Sequence, residues 1–186
     1  FGKFDWKGVL ERMGEHFDER IRNQRVLTTP DHYAYLKISE GCNRTCSYCA
    51  IPIMTGKHKS RDFEELLEEC RALVKGGVKE ILVVAQDLTY YGIDLYGKNR
   101  LAELIGRIAD IEGLEWIKLH YAYPAGFPLE LLTVMRERPN VCKYLDIALQ
   151  HCSDHMLQQM RRGISKKQTI ELIRKIRQEV PGIFIR

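Results

Sequence analysis

The sequence predicts an α/β fold built on a parallel sheet, and three observations predict it. Short apolar runs of strand type alternate with longer segments of helical period from residue 33 onward. One of those runs, Glu80-Ile-Leu-Val-Val-Ala85, is almost wholly apolar, the pattern of a parallel strand buried on both faces. Breakers such as Gly76-Gly77, Pro139 and Gly163 fall between the runs, where strand–helix units turn. Right-handed crossovers then curl such a sheet in one direction or wind it on both faces.

Residues 1–30 are polar and weakly patterned and end in Thr28-Thr29-Pro30. They read as a linker from an upstream domain, with one short helix near Val9–Met13. The core is expected over residues 31–186. Tyr33-Ala-Tyr-Leu-Lys-Ile-Ser39 is the first strand, by its β-branched and aromatic content. Asp62 caps the next helix, with Glu65 as capping-box partner. Phe63, Leu66, Leu67, Cys70, Leu73 and Val74 form its apolar stripe, and Gly76-Gly77 ends it. Glu80–Ala85 is the second strand. Leu101, Leu104, Ile105 and Ile108 mark the second helix, and Glu115–Leu119 the third strand. Pro128 opens a helix running through Met135. Tyr144–Leu149 is the fourth strand and Asp154–Arg162 a short helix. Ser165 with Gln168 is a second capping box, before a helix marked by Ile170, Ile173 and Ile176. Ile183–Ile185 opens a fifth strand, where the chain stops.

Composition sets bounds. The 186 residues suffice for one domain with a core, and 45% hydrophobic with 29% charged content is ordinary for a globular protein. A net charge of +4 is too small to argue for nucleic acid, and direct nucleic-acid binding is not indicated. No apolar run approaches the ~20 residues of a membrane span. The first residues lack the apolar core of a signal peptide. With six irregularly spaced cysteines, no secretion signal and ample core, a reducing cytoplasm is expected rather than a disulfide scaffold. A start without Met and an end inside a strand read as a piece of a longer protein.

The chemistry concentrates in the run Gly41-Cys-Asn-Arg-Thr-Cys-Ser-Tyr-Cys49. Cys42, Cys46 and Cys49 stand at C-x3-C-x2-C spacing, and no fourth cysteine matches it. Three thiolates on one loop can close around an iron–sulfur cluster. Such clusters normally take four thiolates, so three leave one iron open to a ligand other than protein. In parallel α/β folds the site lies at the carboxyl ends of the strands. That rule gathers the cysteine loop with Gln86, Asp87 and Thr89, with His120, Tyr121 and Tyr123, and with Gln150 and His151. Other readings compete. A structural zinc site would recruit a histidine such as His58 or His120, but zinc favours two ligand pairs and no second pair is present. Cys46-Ser-Tyr-Cys49 alone is a C-x-x-C redox motif, which leaves Cys42 idle. An electron carrier needs a fourth ligand such as Cys152. Cys70 reads as core, Cys142 and Cys152 as incidental thiols.

The cysteine run, with an aromatic at Tyr48 before the last cysteine and a strand directly before it, resembles the radical S-adenosylmethionine superfamily. Within it, residues 33–52 resemble the methylthiotransferases. Leu119-His-Tyr-Ala-Tyr-Pro124 and Tyr144-Leu-Asp-Ile-Ala-Leu-Gln-His151 are similar to the branch that modifies an aspartate of a small-subunit ribosomal protein, rather than to its tRNA-modifying sister. The resemblance covers about residues 25–186.

That resemblance implies a truncated parallel β/α barrel, cut near its fifth strand. It implies that Cys42, Cys46 and Cys49 hold a 4Fe-4S cluster whose open iron binds S-adenosyl-L-methionine. Tyr48, Gln86, Asp87 and Gln150 would contact that cofactor, and Tyr121, Tyr123 and Ile51 would line its pocket. The implied reaction adds a methylthio group to the aspartate β-carbon through a 5′-deoxyadenosyl radical, with an electron donor as further partner. The family's N-terminal domain, which carries a second 4Fe-4S cluster, and its C-terminal β-barrel are absent from this sequence. Gln86-Asp87 stands where many relatives carry Gly-Gly-Glu, and Ala148 where they carry proline. The chain alone is therefore expected to lack the full reaction.

Overall fold

The computed structural model describes residues 6–16 and 25–186; residues 1–5 and 17–24 of the expected linker lie outside the described residues. In chain order the elements are α1 (Trp6–Arg12), β1 (Tyr33–Lys37), β2 (Ser39–Glu40), α2 (Ile51–Thr55), β3 (Lys59–Ser60), α3 (Phe63–Lys75) and β4 (Glu80–Val84). There follow a 3-10 turn (Leu88–Tyr90), α4 (Ile93–Tyr96), α5 (Leu101–Ala109), β5 (Trp116–Ala122), α6 (Glu130–Glu137), β6 (Val141–Ile147), α7 (Asp154–Gln159), α8 (Lys166–Glu179) and β7 (Phe184–Ile185).

One parallel sheet runs in the order β1-β4-β5-β6-β7. Within this sheet each strand sits beside the sheet strand before it, so every helical crossover advances the sheet in the same direction. This is the progression of a β/α barrel, here an open arc. Ala34, Leu36, Ile81, Val83, Ile117, Leu119, Leu145 and Ile147 lie on the face that packs with the helix stripes in a single core. In α5 the stripe Leu101, Leu104, Ile105 and Ile108 is fully buried, each side chain contributing ~1.5–3 kcal/mol.

The opposite face differs from expectation. β4 alternates half-buried with buried residues instead of burying both faces. Among the described residues the helix stripes pack on one side of the arc, and the inner side carries a polar ladder. In it Lys118 Nζ pairs with Glu80 Oε1 at 2.7 Å, and His120 Nδ1 lies 3.6 Å from Asp146 Oδ2.

Element ends also moved. The first strand stops at Lys37, and Ser39–Glu40 pairs antiparallel with Lys59–Ser60. β5 runs on through Ala122, past the expected end at Leu119, with an irregular register against β6 between Leu119 and Ala122. The fourth strand is Val141–Ile147 rather than 144–149, because Val141 pairs with Ile117. The third helix starts at Glu130, two residues after Pro128. α7 ends at Gln159, and Arg161, at φ 54°, turns the chain before Arg162. Asp62 caps α3 through the Glu64 and Glu65 amides, but the Glu65 carboxylate binds Arg61 at 2.8 Å instead of closing a capping box. In α8 the buried positions are Thr169 and Ile176, while Ile170 is 39% exposed.

The Ser165–Gln168 capping box is present in full. Ser165→Ala should cost about 1 kcal/mol, a fall in melting temperature of about 2–4 °C for a chain of this size. Calorimetry checks it, and an unchanged melting point would show that α8 is held by packing alone.

Candidate functional site

The cysteine loop is pinned on two sides. On one, the Cys42 amide donates to the Gly56 carbonyl at 3.2 Å, and the His58 amide donates to Asn43 Oδ1 at 3.0 Å. On the other, the Ser47 amide and hydroxyl donate to the carbonyls of Met160 and Gln159 at 3.2 and 2.8 Å. Those carbonyls belong to the last turn of α7, where helical partners run out. Gly41 makes the first clasp possible. Its φ is +72°, and a Cβ there would stand 2.2 Å from the Lys57 carbonyl oxygen.

Cys42, Cys46 and Cys49 line one cavity of about 210 Å³ with Arg44, Tyr48, Gln86, Gln150 and Arg162. Tyr121, Tyr123 and Ile51, expected as lining, are there too. A second cavity of about 290 Å³, lined by Lys37, Val84 and Ala85, shares Ile51, Gln86 and Tyr121 with the first. Two backbone departures aim side chains at the site. Tyr121 sits at φ 70°, in the irregular stretch of β5, and Gln150 at φ 69°, beyond β6. Non-glycine residues with positive φ are held by their surroundings and cluster at functional sites.

Asp87, expected at the cofactor, does not line the cavity. It is buried, and its carboxylate accepts from Arg44 Nε at 2.7 Å and from the Thr89 amide and hydroxyl at 2.9 and 2.5 Å. It therefore positions Arg44 and caps the 3-10 turn. Neither His58 nor His120 lines the cavity. His58 is held by Ser60 Oγ at 3.2 Å with its ring against Tyr90. His151 is exposed and accepts from the Ser153 amide. The larger cleft of about 590 Å³, lined by Arg71, Lys75, Lys79 and Arg107, lies at the ends of α3 and α5, away from every thiol of the loop.

Two arginines escaped the sequence reading. The Arg44 and Arg162 guanidiniums stack on the Tyr123 ring, with their carbons 4.0 and 4.1 Å from its centroid. The Tyr123 hydroxyl donates to the Arg162 carbonyl at 2.8 Å and lies 3.6 Å from Cys46 Sγ. Arg162 Nη1 donates to Cys46 Sγ at 3.2 Å, and the Arg44 amide donates to Cys42 Sγ at 3.4 Å. A cation inside the cysteine run was the available signal for Arg44. Arg162 looked like an ordinary helix-end charge.

The donor set fits an iron–sulfur cluster. Three thiols and no His, Asp or Glu line the cavity, and soft thiolates select such clusters. Among the described residues no three Cys, His, Asp or Glu side chains are gathered closely enough to share a single ion. Gln86 Oε1 and Arg162 Nε are buried without a hydrogen-bond partner among the described residues, so polar capacity remains for a ligand. Burial pushes the Cys42 thiol above its ordinary pKa, partly offset by the Arg44 amide; metal binding there must expel the proton.

Comparison with known proteins agrees with this geometry. The Radical SAM superfamily matches residues 36–186. Over its whole length the chain is 65% identical to the ribosomal protein uS12 methylthiotransferase RimO of Porphyromonas gingivalis and 50% identical to that of Flavobacterium johnsoniae; it spans 43% of the length of each. A solved radical S-adenosylmethionine methyltransferase, TsrM from Kitasatospora setae with cobalamin and a 4Fe-4S cluster bound, superimposes with a TM-score of 0.62. The match covers 82% of this chain and 30% of that one at 17% identity, a likeness of fold. The arc of parallel strands, the three-thiol cavity at their carboxyl ends and the family match converge: the chain belongs to the radical S-adenosylmethionine superfamily, whose cofactors are a 4Fe-4S cluster and S-adenosylmethionine.

Proposed function

We propose that this chain is the radical core of a methylthiotransferase that modifies the β-carbon of an aspartate in a small-subunit ribosomal protein. The observation that carries the reading is the single cavity shared by Cys42, Cys46, Cys49, Tyr48, Gln86 and Gln150. The identity to relatives named uS12 methylthiotransferases supports the substrate. Cys42, Cys46 and Cys49 would hold the cluster, which when bound supplies the electron that opens S-adenosylmethionine to a 5′-deoxyadenosyl radical. Gln86 Oε1 offers a free acceptor to the cofactor's ammonium, while Gln86 Nε2 leans on Glu40 Oε2 at 3.4 Å. Gln150 and the Tyr48 backbone complete the binding wall. Tyr121, Tyr123 and Ile51 supply the cavity's apolar lining.

The reading brings an electron donor as partner. It also brings a second cluster on an upstream domain of the whole enzyme, and a cytoplasmic location beside the ribosome. Among the described residues no helix is long and apolar enough to cross a membrane.

Anaerobic iron–sulfur reconstitution, followed by EPR of the dithionite-reduced protein, tests the core of this reading. The expected result is a reduced-cluster signal that changes shape when S-adenosylmethionine is added, because the open iron binds it. A signal indifferent to the cofactor would sink the open-iron assignment. Substrate is tested separately, by mass gain of one methylthio group on the ribosomal protein and not on tRNA, with the full-length enzyme.

A further inference from the structure

Arg162 is 3% exposed, and its charge has no carboxylate partner among the described residues. Nη1 donates to Cys46 Sγ at 3.2 Å and to the Tyr48 hydroxyl at 3.1 Å. Nη2 donates to the Ala148 carbonyl. Nε has no hydrogen-bond partner among the described residues, and the flat face of the group rests on Tyr123. Every one of these partners is neutral while Cys46 is a thiol. Buried cations are rarely left in that condition, because desolvation is costly without a counter-charge. Arg44, on the other face of Tyr123, shows the ordinary solution: its guanidinium is paired with Asp87 at 2.7 Å. The cavity wall thus holds one neutralised guanidinium and one that is not, and the second points at a cluster ligand.

We propose that Arg162 is the fixed counter-charge of the cluster and, acting through Cys46, raises the cluster's reduction potential. The inference rests on the cluster reading above. Reduction adds one electron to the cluster from a one-electron donor, dithionite in the test, and makes or breaks no bond at Arg162. The added negative charge arises beside a guanidinium that is itself buried, where Coulomb attraction is stronger than in water. A charged donor to a ligand sulfur also withdraws density from it, as outer-shell partners of metal ligands do. Arg162 is in this sense a positioning residue that sets how readily the cluster accepts its electron.

The test is a redox titration of the reconstituted protein, without S-adenosylmethionine, followed by EPR. Arg162→Gln should shift the reduction equilibrium at least tenfold toward the oxidised form, about 59 mV lower for one electron. Arg162→Lys, which keeps the charge, should stay within threefold of the wild type. Matching wild-type and Arg162→Gln potentials would overturn the inference, as would an Arg162→Lys shift as large as that of Arg162→Gln. A second measurement needs no variant. Wild-type protein grown on arginine labelled with 15N at its terminal guanidino nitrogens should show a nitrogen coupling to the reduced cluster in pulsed EPR. Absence of that coupling would overturn the inference even where Arg162→Gln fails to load iron. A wild type that binds no iron would overturn the cluster reading beneath it as well. A loaded wild type without the predicted shift would overturn this inference alone.

Discussion

Alanine at Cys42, Cys46 or Cys49 should abolish cluster assembly, leaving iron and acid-labile sulfide at background after reconstitution. The three thiols line one cavity with no His, Asp or Glu to stand in, so two thiolates would remain where three are needed. The protein should otherwise stay folded. Cys46 and Cys49 are half-buried, and their loss should change apo-protein stability by ~1 kcal/mol or less. Cys70→Ala provides the opposite case. Cys70 is fully buried in the core, and burial pushes its thiol pKa up to about 12, so it stays protonated and unreactive. Its removal leaves a small void that costs about 1 kcal/mol or more, yet iron loading should match wild type. Cluster content and melting temperature should therefore move independently across the four variants. Iron retained in Cys46→Ala, or lost in Cys70→Ala, would overturn the ligand assignment.

The βα rhythm was legible because it rests on periodicity, which any window of sequence displays. The stripe of α5 and the capping box at Ser165 need no knowledge of distant residues. The grouping of Cys42, Cys46 and Cys49 in one cavity was legible for the same reason, since their spacing is local. What escaped depends on contacts across the chain. Asp87 stands at a strand end, as expected, but its carboxylate is claimed by Arg44, 43 residues away. Sequence pattern places Arg162 at the end of a helix. That helix stops at Gln159, where its free carbonyls receive the Ser47 amide and hydroxyl. Arg161 then takes a positive φ and turns Arg162 inward. The aim of Tyr121 comes from an irregular register between two strands, which neither strand's composition reveals. Local pattern therefore located the three thiols that share the cavity, and tertiary closure selected the groups that surround them.

Gly41→Ala should be the most damaging substitution outside the cysteines. Two causes act at that position, and they can be separated. The first is backbone strain: φ is +72°, which costs an L-residue about 1 kcal/mol. The second is space. The new methyl would stand 2.2 Å from the Lys57 carbonyl oxygen and 2.7 Å from that of Gly56. Both are backbone atoms that cannot rotate away, so the segment before β3 must move off the cysteine loop. That movement breaks the bond from the Cys42 amide to Gly56 and displaces the Cys42 thiol. A combined loss of ~3 kcal/mol or more is expected, a fall of about 6–12 °C in melting temperature, together with loss of iron. Gly97→Ala isolates the first cause. Gly97 has nearly the same φ, +70°, in the left-handed region, but nothing lies within 4 Å of its would-be Cβ. It should lose only about 1 kcal/mol and keep its cluster. If the two variants melt together and load iron equally, then strain alone matters at Gly41 and the clasp on Cys42 is not what shapes the site. If Gly41→Ala loses iron while Gly97→Ala keeps it, close backbone approach is the reason a glycine precedes Cys42.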